Sequence, residues 1–123
     1  MQSVTSNGVA NALGNLGKTV TLLKSYTSYS TSEVTLTDSI VNYKSIIVEV
    51  GNNENPPCKC IREYNSKYIQ DNLINTTFIQ DFAGFNESWG FYVRYQFTAN
   101  NKFRLQAFNG TWTFGSCKVW GIK

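Results

Sequence analysis

The clearest structural signal in the chain lies in residues 89–107, which read WGFYVRYQFTANNKFRLQA. From Trp89 to Phe97 every second residue is aromatic or β-branched, and Phe103, Leu105 and Ala107 continue the alternation after a polar interruption. A period of two places successive side chains on opposite faces of a β-strand. This stretch therefore predicts two amphipathic strands, each with one apolar face directed towards a core.

A hairpin is predicted directly after these strands. Asn109-Gly110 is the strongest short-range signal for a hairpin, because a type I′ turn needs positive φ at both central positions. Such a turn sets Ala107 opposite Trp112 and Leu105 opposite Phe114, so apolar residues meet on one face. The pattern predicts a third strand of an antiparallel meander, with Trp112 and Phe114 in the core.

Two irregularities are predicted in the same meander. A three-residue loop at 100–102 sets Phe97 opposite Leu105 and keeps the apolar faces together, whereas a two-residue loop would oppose Phe97 to Arg104. In the last strand the apolar period slips by one residue after Phe114. A β-bulge near Gly115-Ser116 would restore the phase.

Further strands are predicted where apolar and β-branched runs lie between polar turns. They cover residues 19–26, 33–37, 45–51, 58–64 and 73–81, and residues 65–72 are ambiguous. Aromatic residues make up 15% of the 123 residues and charged residues another 15%, a composition that favours strands over helices. We predict an all-β fold, an antiparallel β-sandwich or jelly-roll-like domain over residues 18–123, preceded by a short N-terminal helix in residues 1–17.

That N-terminal helix carries one narrow apolar stripe. Thr5 and Ser6 offer N-cap oxygens, and the spacing of Val9, Leu13 and Leu16 places these three side chains on one face. The stripe either packs on its own domain or meets copies of itself in an oligomer. The residue pattern alone favours neither arrangement.

Composition restricts the classes of partner. The net charge is +3, and the eleven Lys and Arg residues are scattered rather than clustered. We therefore expect no nucleic-acid binding, which normally shows a basic patch. No apolar stretch approaches the roughly 18 residues of a membrane span, and the N-terminus lacks a signal-peptide pattern. We therefore expect that the protein does not insert into a membrane. We also expect it to be synthesised in a cytoplasm.

Catalytic and metal chemistry are not predicted either. The chain has no His, the commonest general base and metal ligand. Cys58, Cys60 and Cys117 lack the spacing and the fourth ligand of a structural zinc site. The eight carboxylates fall in no motif, although two of them flanking a sugar would suffice for glycoside hydrolysis. We expect no metal, no cofactor and no enzymatic activity.

Aromatic rings beside polar side chains mark the candidate ligand-binding residues, since such rings give contact area at low entropy cost. Tyr92, Arg94 and Gln96 are predicted on the polar face opposite the core, and Arg62 and Tyr64 share a face of their own strand. The candidate set is Arg62, Tyr64, Tyr68, Tyr92, Arg94 and Gln96. The alternative is a second packed face of the sandwich or a subunit interface.

Two stretches resemble a known family. Residues 3–13, SVTSNGVANAL, resemble the short helix that precedes the C-terminal head domains of tailed-phage tail fibres, and residues 118–123, KVWGIK, resemble the closing strand of such domains. The resemblance implies a homotrimer with Val9, Leu13 and Leu16 at the threefold axis. It also implies a β head that contacts the host surface, but it carries over no ligand-site residue.

The leading hypothesis is a non-catalytic tail-fibre head of a phage or prophage that binds a host cell-surface glycan or protein. It would be assembled in the bacterial cytoplasm and carried on the virion. Two alternatives remain, a polysaccharide-degrading tailspike fragment and a purely structural virion module.

Overall fold

A computed structural model describes residues 19–84 and 90–123, which form two antiparallel β-sheets packed face to face. The strands are β1 (Val20–Tyr26), β2 (Val34–Thr35), β3 (Ser45–Asn52), β4 (Lys59–Asn65), β5 (Ile79–Gly84), β6 (Gly90–Ala99), β7 (Lys102–Gly110) and β8 (Phe114–Ile122). A 3-10 turn covers Ile40–Asn42, and one short helix, α1 (Ser66–Tyr68), continues into a π-helical turn at Ile69–Leu73.

The predicted all-β sandwich is confirmed. The predicted N-terminal helix, with Val9, Leu13 and Leu16, lies outside the described residues.

Each sheet has four strands. The first sheet has the order β1-β8-β3-β4 and the second the order β2-β7-β6-β5. β1 pairs with β8 and β2 with β7, while β3 and β4 form one hairpin pair and β5 and β6 another. The first two strands of the chain therefore pair with the last two, as in a jelly roll.

The predicted meander lies one strand earlier in the chain than expected. β5, β6 and β7 are neighbours in the second sheet, whereas β8 joins the first sheet between β1 and β3. The hairpin predicted at Asn109-Gly110 is therefore wrong, since residues 111–113 carry the chain across to the other sheet. In the first sheet, β8 gains a hydrogen-bonded partner on each side and buries Cys117 and Val119 completely.

The turn between β6 and β7 also differs from the prediction. Ala99 pairs with Lys102, which leaves a two-residue loop, and the register then shifts at Thr98 so that Phe97 faces Phe103. The predicted three-residue loop is wrong, because a β-bulge rather than a longer loop corrects the phase. Both Phe rings are 0% exposed, so the apolar faces still meet.

The β-bulge predicted in the last strand is confirmed. Gly51 pairs with Ser116 and Asn52 with Phe114, so Gly115 is the extra residue of β8. A Cβ atom at Gly115 would overlap the Asn52 carbonyl. Glycine is needed here because the partner strand approaches the bulge so closely.

The core lies between the two sheets and follows the predicted alternation. The inward residues of β3 are Ile46, Val48 and Val50, and those of β6 are Phe91, Val93, Tyr95 and Phe97. On the opposite face of the first sheet, Ile47, Trp120 and Ile122 form a second buried cluster. Trp89, predicted to join the β6 face, lies outside the described residues.

The sandwich has two distinct ends. Thr19 and Lys123 lie together at one of them, where the Lys123 amide donates to the Thr19 carbonyl oxygen at 3.1 Å. We call this the terminal end; it also carries the β6–β7 turn and α1. The strand registers place the connection that follows Tyr26 and the crossing at residues 111–113 at the opposite, distal end.

Candidate functional site

A groove of about 530 Å³ opens at the distal end, between the start of the β1–β2 connection and the β7–β8 crossing. It is lined by residues 27–29 and 108–114. We call it the distal groove. Its volume is in the range of small-molecule binding sites, which are commonly about 300–1,000 Å³.

Two exposed rings dominate the distal groove. Trp112 is 47% exposed and Tyr29 is 42% exposed. Trp112 lies in the crossing between the sheets, where the chain has no strand partner, so the prediction that it is a core residue is wrong. Phe114, also predicted as core, is half-buried and packs against the core.

The floor of the distal groove is anchored in the core by a chain of ring contacts. Tyr29 packs on Phe114 with a centroid distance of 5.7 Å, and Phe114 meets Phe108 edge-on at 5.4 Å. Phe108 in turn stacks on the buried ring of Phe91 at 4.6 Å. Each such pair adds to the packing of the next, so the groove is preformed by the same rings that close this end of the core.

Polar contacts orient the groove walls. The Tyr29 hydroxyl donates to the Gln106 carbonyl oxygen at 3.0 Å, and Asn109 Nδ2 donates to the Tyr92 hydroxyl at 2.7 Å. Donation leaves the Tyr29 hydroxyl oxygen and Asn109 Oδ1 as acceptors for a ligand. The remaining walls are formed by small polar side chains of the groove, Thr27, Ser28, Thr111 and Thr113.

Tyr92 and Arg94, two of the predicted ligand-binding residues, lie on the outward face of the second sheet. Tyr92 pairs with the 53%-exposed ring of Phe82 at a centroid distance of 6.2 Å, and its hydroxyl accepts from Asn109. Arg94 is exposed, and its Nε donates to Gln80 Oε1 at 2.7 Å. Tyr92 therefore adjoins the distal groove.

Gln96, predicted with them, is buried on that same face. Its amide donates to the Thr76 carbonyl oxygen, and its Oε1 accepts from Arg104 Nε at 3.2 Å. These contacts hold the segment before β5 against the sheet. The structure thus places Gln96 in packing between elements, away from the exposed surface.

Arg62 and Tyr64 contact the second sheet from β4, and Arg62 remains exposed. Arg62 forms a two-pronged ion pair with Asp81, in which Nη2 lies 2.8 Å from Oδ1, and the Tyr64 hydroxyl is hydrogen bonded to that of Tyr95. Burial would raise the pKa of Asp81, but hydrogen bonds from Arg62 and the Phe82 amide outweigh it and hold that pKa below its ordinary value of 3.8. These contacts join β4 to β5 at the open edge of the sandwich.

Tyr68, the last of the predicted candidates, is 55% exposed in α1 at the terminal end. The six candidates therefore do not form one site. Tyr92 and Arg94 share an exposed face, and Gln96 is buried beside them. Arg62 and Tyr64 lie at the open edge between β4 and β5, and Tyr68 lies at the terminal end.

The distal groove was missed by the sequence-based site prediction, although the sequence contains a signal for it. Residues 27–32 read TSYSTS and residues 111–113 read TWT, each with one large ring among small hydroxyl side chains. Rings in such surroundings are typical of exposed binding loops. What the sequence does not show is that the two segments are neighbours.

Metal and thiol chemistry find no support in the part of the chain that the structure describes. There, no group of three or more His, Cys, Asp or Glu residues is placed to hold a metal ion. Cys58, Cys60 and Cys117 are free thiols, and burial, with Asp81 nearby, raises the pKa of Cys60 to about 12. A thiol with such a pKa stays protonated and unreactive at neutral pH.

Across residues 19–84 and 90–123, no helix is long and apolar enough to cross a membrane.

No protein-family model, no curated protein and no solved structure matches this chain. The geometry and chemistry of the distal groove are therefore the basis for a functional proposal.

Proposed function

We propose that this protein is a non-catalytic recognition domain, the head of a tailed-phage or prophage tail fibre, which binds a host cell-surface glycan or protein through the distal groove. The observation that carries the proposal is the exposed ring surface of Trp112 and Tyr29 on a preformed floor. A groove that brings two exposed rings together among polar side chains is suited to binding a ligand.

The position of the distal groove suits such a role. Thr19 and Lys123 lie together at the terminal end, and the groove opens at the opposite end. A shaft joined ahead of Thr19 would leave the groove facing outwards, towards a host surface. The sequence resemblance to tail-fibre heads supports the same orientation.

The described lining of the distal groove favours binding over hydrolysis. Glycoside hydrolysis needs two carboxyl groups about 5–10 Å apart across the scissile bond. The groove residues that the structure describes carry aromatic, hydroxyl and amide side chains, with one glycine. Asp81, a buried carboxylate elsewhere, is held in its ion pair with Arg62.

A homotrimer is part of the proposal through the resemblance alone, with Val9, Leu13 and Leu16 at the threefold axis. Light scattering tests it, since a trimer of 13.9 kDa chains is expected. A Leu13→Asp change is expected to dissociate the trimer. A stable monomer of the unchanged chain at micromolar concentration would contradict this part of the proposal.

Binding of labelled protein to host bacterial cells tests the main proposal. Trp112→Ala is expected to weaken cell binding by at least about tenfold, because the central ring of the surface is lost. Tyr68→Ala is the matched control, since it removes a ring at the terminal end that is 55% exposed, against 47% for Trp112. Cell binding that is unchanged in Trp112→Ala would show that the distal groove is not the receptor site.

A further inference from the structure

We infer that the ligand of the distal groove is an electrically neutral sugar, an uncharged pyranose unit of a surface glycan. This inference rests on the proposed function and names the chemical class of ligand at the same site. Three features of the groove lead to it: the exposed ring, the direction of its hydrogen bonds and the charges of its surroundings.

The first feature is the exposed ring of Trp112. One face of a pyranose presents C–H groups, and such a face is suited to lie flat on an aromatic ring. Trp112 lies in the crossing, next to the small residue Thr111, and is 47% exposed. A ligand can therefore reach its ring. A rigid ring also gives this contact at a low cost in conformational entropy.

The second feature is the set of hydrogen-bonding groups in the groove. The Tyr29 hydroxyl proton is used in the bond to the Gln106 carbonyl oxygen, and an Asn109 amide proton is used in the bond to Tyr92. Their oxygens are left to accept hydrogen bonds from a ligand. Sugar hydroxyls can donate to these oxygens and can also accept from wall hydroxyls such as that of Ser28, whereas a carboxylate or sulfate group can only accept.

The third feature is charge. Every described lining side chain of the distal groove is uncharged. On the adjoining outward face, Arg94 donates to Gln80, and Arg104 lies over the Phe78 ring at 4.9 Å and donates to Gln96. Acidic glycans are normally bound by guanidinium groups directed at the ligand. The described lining of the groove contains no such group, and the Nε atoms of these two arginines donate to neighbouring side chains.

A glycan array and titration calorimetry with simple glycosides test the inference on the full chain. The neutral probes are methyl glucoside, methyl galactoside and N-acetylglucosamine; the acidic probes are glucuronic acid and N-acetylneuraminic acid. We expect neutral probes to bind with an affinity that changes little with salt, since no ion pair is involved. Trp112→Ala is expected to weaken this binding at least about tenfold and Tyr29→Phe about threefold. Tyr68→Ala is expected to leave it unchanged.

Preference for the acidic probes, weakened by salt and lost in Arg94→Gln, would overturn the neutral-sugar inference and leave the proposed function standing. A second such result is cell binding that needs Trp112 and yet disappears after the cells are treated with protease. That result would overturn the neutral-sugar inference but keep the proposed function, because the receptor would then be a protein. Neutral-sugar binding that survives Trp112→Ala, or no binding to either array or cells, would contradict the inference and the proposed function together.

Discussion

The terminal and distal ends of the sandwich differ in how far their large apolar residues are buried. At the terminal end, Ile40 and Ile69 are fully buried, and the Ser66 hydroxyl donates to the Ile40 carbonyl oxygen at 2.6 Å. At the distal end, Trp112 and Tyr29 keep nearly half of their surface exposed. The buried isoleucines at the terminal end stabilise the fold, whereas the two exposed rings at the distal end line a groove that is open to a ligand.

The difference follows from how the connections meet. At the terminal end the Leu36 and Ile40 amides donate to carbonyls of the β6–β7 turn at 2.8 Å, and the Lys44 amide donates to Ile122 at the same distance. Three segments distant in sequence therefore interlock. At the distal end, the crossing that contains Trp112 is held by a backbone bond from Asn53 to Thr113 at 2.9 Å.

The largest expected effect is at the terminal end. Ile40→Ala would leave a cavity among fully buried residues, and we expect the free energy of unfolding to fall by about 2–5 kcal/mol. Val41→Ala changes the next residue of the same turn, which is 48% exposed, and is expected to cost within about 0.5 kcal/mol. Urea denaturation measures both variants. Equal losses would show that the terminal end is not packed as described.

Gly121→Ala tests the same end from the side of β8. A Cβ atom there would lie 2.6 Å from the Tyr43 ring, and overpacking of this kind costs about 1–3 kcal/mol. Gly51→Ala is the control, because its Cβ would first meet the flexible Lys59 side chain at 3.3 Å. If thermal unfolding gave the two variants the same stability, the close approach of Tyr43 to β8 would be contradicted.

The ion pair of Arg62 with Asp81 predicts that stability depends on pH. The folded-state pKa of Asp81 is lowered, so its contribution to stability is present above the ordinary value of 3.8 and is lost as the pH falls through the folded pKa. Asp81→Asn is expected to cost about 1 kcal/mol at neutral pH, a small loss because the Arg62 side chain is 54% exposed and can be solvated.

Measuring unfolding from pH 6 downwards separates this contribution from other carboxylates, such as Asp38, whose pKa is also lowered. The difference in stability between the unchanged protein and Asp81→Asn is expected to shrink below about pH 4. A constant difference over that range would show that the ion pair does not titrate with folding.

The smallest expected effect on stability is at the distal end. Trp112→Ala is expected to change the free energy of unfolding by no more than about 0.5 kcal/mol. The same substitution is expected to weaken ligand binding the most. Phe114→Ala should destabilise the protein clearly more, since that ring packs against the core. A Trp112→Ala variant that melted as early as Phe114→Ala would remove the contrast between the two ends.

Much of the fold was predictable from local pattern, and the site was less so. The inward faces of β3 and β6 and the bulge at Gly115 follow from a period of two and its interruption. The candidate residues Arg62 and Tyr64 have the composition of a binding surface, but their polar groups contact Asp81 and Tyr95 of the second sheet. Such contacts depend on what packs opposite a strand, which no pattern within that strand reports.

The alternation of apolar residues determined where most strands lie and which of their side chains face the core, because pleat geometry acts between neighbouring residues. Only the tertiary structure decided that β8 leaves the meander and enters the first sheet between β1 and β3. Backbone hydrogen bonds involve the same chemical groups in every strand, so the choice of partner rests on side-chain packing between distant segments. That choice places Trp112 in a crossing rather than in a strand, and it creates the distal groove.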